Sequence, residues 1–164
     1  FGTGLNLLAT LAAFRGAGAP GPVTYASFEA FPLAAEDRAR ALAAFPDLAE
    51  DAAKLTDLLA RGPGPHDLGG LVLTVIEGDA RATLPAWDGT ADAAFLDGFA
   101  PARNPQMWEG GLLAAVALRL RPGGTLATYS AAGPVRRALA QAGLAVERRP
   151  GFGRKRHMTA ARRP

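Results

Sequence analysis

The stretch Ala94-Phe95-Leu96-Asp97-Gly98-Phe99-Ala100-Pro101 decides the fold of this 164-residue chain. Three apolar residues lead into one carboxylate, and a Gly-aromatic-small-Pro turn follows at once. A buried parallel strand ends this way when it delivers a functional group to the carboxyl edge of an α/β sheet, where such sheets bind ligands. Gly98 permits a positive φ or a close backbone approach, and Pro101 stops further strand pairing. Asn104 and Pro105 then open a helix as N-cap and first helical residue. The same letters also fit a plain strand-to-helix turn with a solvated Asp, so the flanking sequence has to decide.

Toward the amino end, Leu71 to Ile76 reads as a strand followed by Glu77-Gly78-Asp79-Ala80. Asp79 thus lies at a strand's carboxyl end, where it can accept from an exocyclic amine such as that of adenine. Two helices, Pro32 to Phe45 and Asp47 to Leu59, precede it, rich in Ala and Leu with charges on their outer faces. Arg61 to Gly70 between them and the strand reads as a loop in which His66 is solvated. Val23 to Phe28 is an earlier strand, and Glu29 ends it. At the start, Phe1-Gly2-Thr3-Gly4 precedes an apolar helical pattern of Leu5, Leu8, Leu11 and Ala12. A glycine turn opening a helix lets backbone approach a ligand and aims the helix N-terminus at it, although G-x-G alone is commonly just a tight turn. Glu29 follows that turn by about 25 residues, where α/β nucleotide folds place a ribose ligand. A carboxylate accepts both hydroxyl hydrogens of a vicinal diol. A surface Glu at a strand end is the plain alternative.

Toward the carboxyl end, a helix from Pro105 to Leu120 turns Trp108, Leu112, Leu113, Val116 and Leu120 inward, and Arg121-Pro122-Gly123-Gly124 ends it. A strand at Thr125 to Ser130 follows. A helix at Pro134 to Ala142 comes next, with Val135, Ala138 and Leu139 inward and Gly143 as its stop. Leu144 to Arg148 is a strand, Gly151-Phe152-Gly153-Arg154-Lys155-Arg156 a basic glycine turn, and His157 to Ala161 a last strand antiparallel to its neighbour. The alternation predicts one α/β domain over residues 1–164, its sheet mostly parallel with a C-terminal antiparallel hairpin and helices on both faces. In a doubly wound fold a central strand precedes the glycine turn, so the chain is expected to be a fragment of a longer one. Glu29, Asp79 and Asp97 are expected to face one crevice.

Hydrophobic residues make up 49% and charged ones 20%, which argues against disorder. There is no cysteine, hence no disulfide, thiolate metal site or Cys nucleophile, and two isolated histidines predict no metal centre. No apolar run reaches membrane-spanning length, and Leu5 to Phe14 lacks the flanks of a signal peptide. A cytoplasmic location is expected. Charge is unevenly placed. Residues 1–118 hold 7 Lys/Arg and 14 Asp/Glu; residues 119–164 hold 11 Lys/Arg and only Glu147. So sharp a split points to a polyanionic partner met by the C-terminal part.

Four blocks carry a family resemblance: Phe1 to Asn6, Ser27 to Pro32, Phe95 to Trp108, and Gly151 to Arg156, supported by Pro122 to Thr128 and Val135-Arg136-Arg137. In this order they resemble the methyltransferase domain of the MnmC family, of Rossmann-like class I fold. The resemblance implies methyl transfer from S-adenosylmethionine in the last step making 5-methylaminomethyl-2-thiouridine at the tRNA wobble position. It implies that Phe1, Gly2, Thr3 and Gly4 surround the methionine part of the cofactor. Glu29 would hold the ribose hydroxyls, Asp79 with Ala80 the adenine, and Asp97 would sit beside the transferred methyl and the accepting amine. Phe99 would stack on the flipped uracil in the anticodon region, and Arg136, Arg137, Arg154, Lys155 and Arg156 would meet the tRNA backbone. Many family members are fused to a flavin-dependent oxidase domain; these 164 residues hold no counterpart, so methyl transfer alone is expected. Two rival readings are a methyl- or aminopropyltransferase acting on a small amine, against which the basic C-terminal segment speaks, and a non-catalytic RNA-binding remnant.

Overall fold

The computed structural model describes residues 1–18, 21–153 and 155–164. It divides into two compact units, Phe1–Asp79 and Ala80–Pro164.

The first unit opens with the glycine turn and helix α1 (Leu5–Gly16), followed by β1 (Val23–Glu29), α2 (Ala35–Leu42), α3 (Ala49–Leu59), a short β2 (His66–Asp67) and β3 (Leu71–Glu77). β1 and β3 pair in parallel from Val23 opposite Leu71 to Glu29 opposite Glu77, and β2 joins β3 antiparallel. The core is leucine: Leu7, Leu8 and Leu11 of α1, Leu42 of α2, Leu55 and Leu58 of α3, and Leu68, Leu71 and Leu73 beside or in the sheet. The inward stripe of α1 therefore runs Leu7, Leu8, Leu11, and Ala12, expected inward, is exposed. At about 100° per residue Leu7 and Ala12 cannot both share the face centred on Leu8 and Leu11, and the larger side chain takes the interior. His66, expected in solvent, is 8% exposed and sits opposite Leu73 in β2. The Gly-Pro-rich letters around it conceal a strand too short to leave a period.

The second unit contains α4 (Ala80–Ala86), β4 (Ala91–Phe95), α5 (Gly110–Arg119), β5 (Leu120–Thr128), α6 (Gly133–Gln141), β6 (Ala145–Pro150) and β7 (His157–Arg162). Its sheet has the order β4-β5-β7-β6, with β4 and β5 parallel and β7 antiparallel to both neighbours. The C-terminal hairpin is thus as expected. Trp108, Leu112, Leu113, Val116, Leu120, Leu126, Val135 and Leu139 are buried in it.

The α/β alternation with mixed strand pairing is as expected; among the described residues the strands pair within each unit, and none pairs with the outer edge of β1 or of β4. Three expectations are corrected here. β4 is not a buried strand: Phe95 is 52% exposed. The helix expected from Pro105 to Leu120 is broken into a 3-10 turn, Pro105–Trp108, and α5, with Glu109 extended between them and no side-chain cap bond from Asn104. Gly110-Gly111, poor helix formers, stand at the junction. Finally, Arg121 to Gly124 does not merely end a helix. β5 already begins at Leu120, opposite Ala91, and resumes register at Thr125 opposite Ala93, so these four residues bulge out of the ladder.

Candidate functional site

In the first unit the glycine turn and the end of β1 are joined directly. Gly2 and Gly4 have φ of 56° and 82°, conformations that L side chains resist. At Gly4 an added Cβ would also lie 2.8 Å from a Leu55 methyl carbon. The amide of Leu5, the first residue of α1, donates to the Thr3 hydroxyl at 3.3 Å. The Glu29 carboxylate closes the arrangement. Its Oε2 accepts the Gly2 amide and its Oε1 the Phe31 amide, both at 2.8 Å, and the Phe1 nitrogen lies 3.2 Å from Oε2. Partial burial raises its pKa, the Gly2 and Phe31 amides lower it, and the net shift is downward. Glu29 is therefore an anion whose Oε1, with the Phe31 amide alone on it, keeps a lone pair free. The Gly78 amide donates to the Glu29 carbonyl, 2.9 Å, so the turn carrying Asp79 leaves β3 beside the end of β1. Phe1 to Gly4, Glu29 and Asp79 are thus neighbours in one unit. Ala80 opens α4 in the second unit, a helix that the sequence reading did not anticipate.

In the second unit Asp97 leaves β4 one residue after the Leu96 amide donates to the Ala127 carbonyl, 2.9 Å. The next two residues are held from two sides. The Tyr129 hydroxyl donates to the Gly98 carbonyl at 2.7 Å, and the Trp108 indole N–H donates to the Phe99 carbonyl at 2.8 Å. The two rings meet edge to face, 6.2 Å between centroids. Burial and the Asp97 charge push the Tyr129 hydroxyl above its ordinary pKa, so it stays a donor. The backbone lock turns the Phe99 ring out into solvent, 73% exposed. Gly98 itself has no positive φ, and an added Cβ would meet only Met107 at 3.8 Å, so neither expected reason for a glycine applies within the chain. Lys155 reaches back from the basic turn and places its ammonium 5.1 Å from the Tyr129 ring centroid. Arg136 and Arg137 lie on α6, and the Arg136 Nε is buried with no hydrogen-bond partner among the described residues. Arg156 closes the turn through its carbonyl, which accepts the Gly151 amide. Arg154 lies outside the described residues. Nothing in the sequence marks Tyr129 and Trp108 as holders of the loop; the apolar spacing points Trp108 to the core. Among the described residues no cluster of His, Asp or Glu has the make-up of a metal site, and no helix is long and apolar enough to cross a membrane.

Acids at the carboxyl ends of parallel strands, one of them bound to a glycine turn that opens a helix, define the α/β enzymes that take nucleotide-like ligands. Residues 54–164 match the family model of S-adenosyl-L-methionine-dependent methyltransferases, and the chain belongs to that family. Its cofactor is S-adenosylmethionine. The chain is 47% identical, over its whole length, to the tRNA 5-methylaminomethyl-2-thiouridine biosynthesis bifunctional protein MnmC of Caulobacter sp. strain K31, and 49% identical over 96% of its length to the protein of that name from Pseudomonas aeruginosa PAO1. It spans only 29% and 25% of those relatives. The crystal structure of MNMC2 from Aquifex aeolicus superposes with a TM-score of 0.74 at 30% identity, covering 98% of this chain and 50% of that one.

Proposed function

We propose that residues 1–164 act as one methyltransferase domain that methylates the aminomethyl nitrogen on the wobble uridine of tRNA, giving 5-methylaminomethyl-2-thiouridine, in the cytoplasm. The observation that carries this is the Asp97-Gly98-Phe99 loop: a carboxylate two residues from an outward aromatic ring, with the Gly98 and Phe99 carbonyls held by Tyr129 and Trp108. Near-half identity to bifunctional tRNA-modifying proteins over the whole chain supports the substrate. Their bifunctionality supports a partner activity, an oxidase that prepares the amine, carried elsewhere.

The residues fit the cofactor. The anionic Glu29 carboxylate suits the ribose hydroxyls, Asp79 and Ala80 suit the adenine edge, and Phe1 to Gly4 suit the methionine part. When bound, the sulfonium supplies an activated methyl group with a good leaving group. What the chain must do is position the acceptor. Phe99 stacks on the splayed uracil. Asp97 accepts a hydrogen bond from the amine, orients its lone pair, and stabilises the positive charge that grows on nitrogen as the bond forms. The aminomethyl group is largely protonated at neutral pH and must lose a proton first, which Asp97 can pass on to water. Arg136, Arg137, Arg154, Lys155 and Arg156 meet the RNA backbone.

Labelled S-adenosylmethionine with tRNA from cells lacking the final wobble methylation tests the reading. Label in the wobble uridine is expected, and Asp97→Ala keeps cofactor affinity while losing turnover by about 100-fold or more. Label only in a polyamine or other small amine would refute the tRNA substrate. Equal turnover in the variant would refute the role of Asp97.

A further inference from the structure

Once their partners are assigned, the arginines after residue 118 fall into two groups. Arg119 donates to the Pro85 carbonyl, and Arg121 pairs with Asp92. Arg162 donates to the Gly123 carbonyl, and Arg163 donates to the carbonyls of Leu118 and Leu120 at the end of α5. These hold the second unit together. Glu147, the one acid of this segment, pairs with Arg149 at 2.9 Å. Residues 147 and 149 share one face of β6, so Arg148 stands on the opposite, acid-free face. Arg136, Arg137, Arg148 and Arg156 form no ion pair among the described residues.

Two of these cations flank one turn: Arg156 leads directly into His157, which pairs with Pro150 at the turn end of the β6–β7 ladder, and Arg148 stands two residues before Pro150. At the other end of the same turn stands Phe152, 94% exposed. Its backbone is not loose: the Gly151 amide donates to the Arg156 carbonyl and the Lys155 amide to the Phe152 carbonyl, both at 3.1 Å. A single exposed apolar ring requires no explanation by itself. A ring held outward by a closed turn, beside cations left without carboxylate partners, is the pairing with which proteins grip unpaired RNA, stacking for the base and charge for the phosphate.

We propose that Phe152 stacks on an unpaired nucleobase of the RNA substrate, with Arg148 and Arg156 on the flanking phosphates. This contact is separate from that of Phe99 and rests on the reading of tRNA as substrate. Phe99 would receive the base to be modified; Phe152 would hold a second one and set the register of the strand. Lys155 links the two, since it belongs to the Phe152 turn and covers the ring that locks the Asp97 loop.

The experiment is a salt series of dissociation constants for tRNA lacking the final wobble methylation, measured with wild type, Phe152→Ala, Phe152→Trp and Arg148→Gln. Phe152→Ala is expected to weaken binding by about tenfold at every salt concentration without changing the slope, and Phe152→Trp to restore it. Arg148→Gln is expected to flatten the slope of log affinity against log salt by about one. An unchanged thermal midpoint in Phe152→Ala checks that the exposed ring is not structural. Wild-type affinity in Phe152→Ala overturns the stacking role while leaving the tRNA reading intact. A wild-type protein that binds no RNA at any salt overturns both.

Discussion

Among the described residues the hydroxyl of Tyr129 makes a single hydrogen bond, to the carbonyl of Gly98, the residue after Asp97, at 2.7 Å. Tyr129→Phe removes that bond and little else. A net neutral hydrogen bond contributes about 0.5–1.5 kcal/mol, and at this half-buried site water can reach the abandoned carbonyl, so the lower half of the range applies. The ring contacts survive in the Phe variant: the edge-to-face contact with Trp108 at about 0.5–1.5 kcal/mol and the Lys155 ammonium at about 0.5–1 kcal/mol. Tyr129→Ala loses all three. For a chain of this size about 1 kcal/mol moves the thermal midpoint by roughly 2–4 °C. The Phe variant should therefore melt about 2 °C lower and the Ala variant at least twice as far below wild type. Turnover responds differently, because a loosened Asp97 loop spoils the geometry of attack. A drop in kcat of about tenfold for Tyr129→Phe, with cofactor affinity unchanged, is expected in the tRNA methylation assay. If Tyr129→Phe matches wild type in kcat, the bond does not position Asp97. If cofactor affinity falls with kcat, the loop serves another purpose.

Two further perturbations probe the first unit. Gly4→Ala places a Cβ 2.8 Å from Leu55 at a φ of 82°, and should cost about 1–3 kcal/mol, read as a lower midpoint in denaturant with unchanged slope; a stability equal to wild type would show that the turn relaxes freely. Glu29 has a folded pKa below its ordinary value. Its stabilisation is thus fully present above the unfolded value and is lost as pH falls through the folded one. The difference in thermal midpoint between wild type and Glu29→Gln should hold steady from neutral pH to about pH 5 and vanish on further acidification; a difference constant to the acid limit would refute the shift.

Much of this was legible in the sequence, for reasons that separate it from what was not. The glycine turn, Glu29 and the strand ends of β1, β3 and β4 follow from local signals: glycines ahead of an apolar stripe, and acids closing apolar runs. The C-terminal hairpin follows from two short runs about a glycine turn. α4 stayed hidden because it has seven residues and contains Pro85. Pro122-Gly123-Gly124 read as a helix terminator because a bulge inside a strand uses the same residues. The exposure of β4 depends on a neighbour that a run of apolar letters cannot report. Tyr129 gave no signal as a site residue, since its role comes from meeting Gly98 across 31 residues of sequence. The split of the C-terminal arginines into bracing and outward groups likewise appears only when each guanidinium has been given its carbonyl or carboxylate.

Trp108 turns the lock on the loop into something that can be seen. The chain has two tryptophans, so Trp87→Phe leaves a single indole emitter. That indole is 8% exposed, edge-on to Tyr129, and its N–H is bound to the Phe99 carbonyl. Its emission reports the polarity around one hydrogen bond in the loop that carries both Asp97 and Phe99. A ligand that shifts Phe99 changes the colour and yield of that light. Any displacement of the Asp97 loop on binding can be timed in a stopped-flow instrument without attaching a dye to protein or RNA.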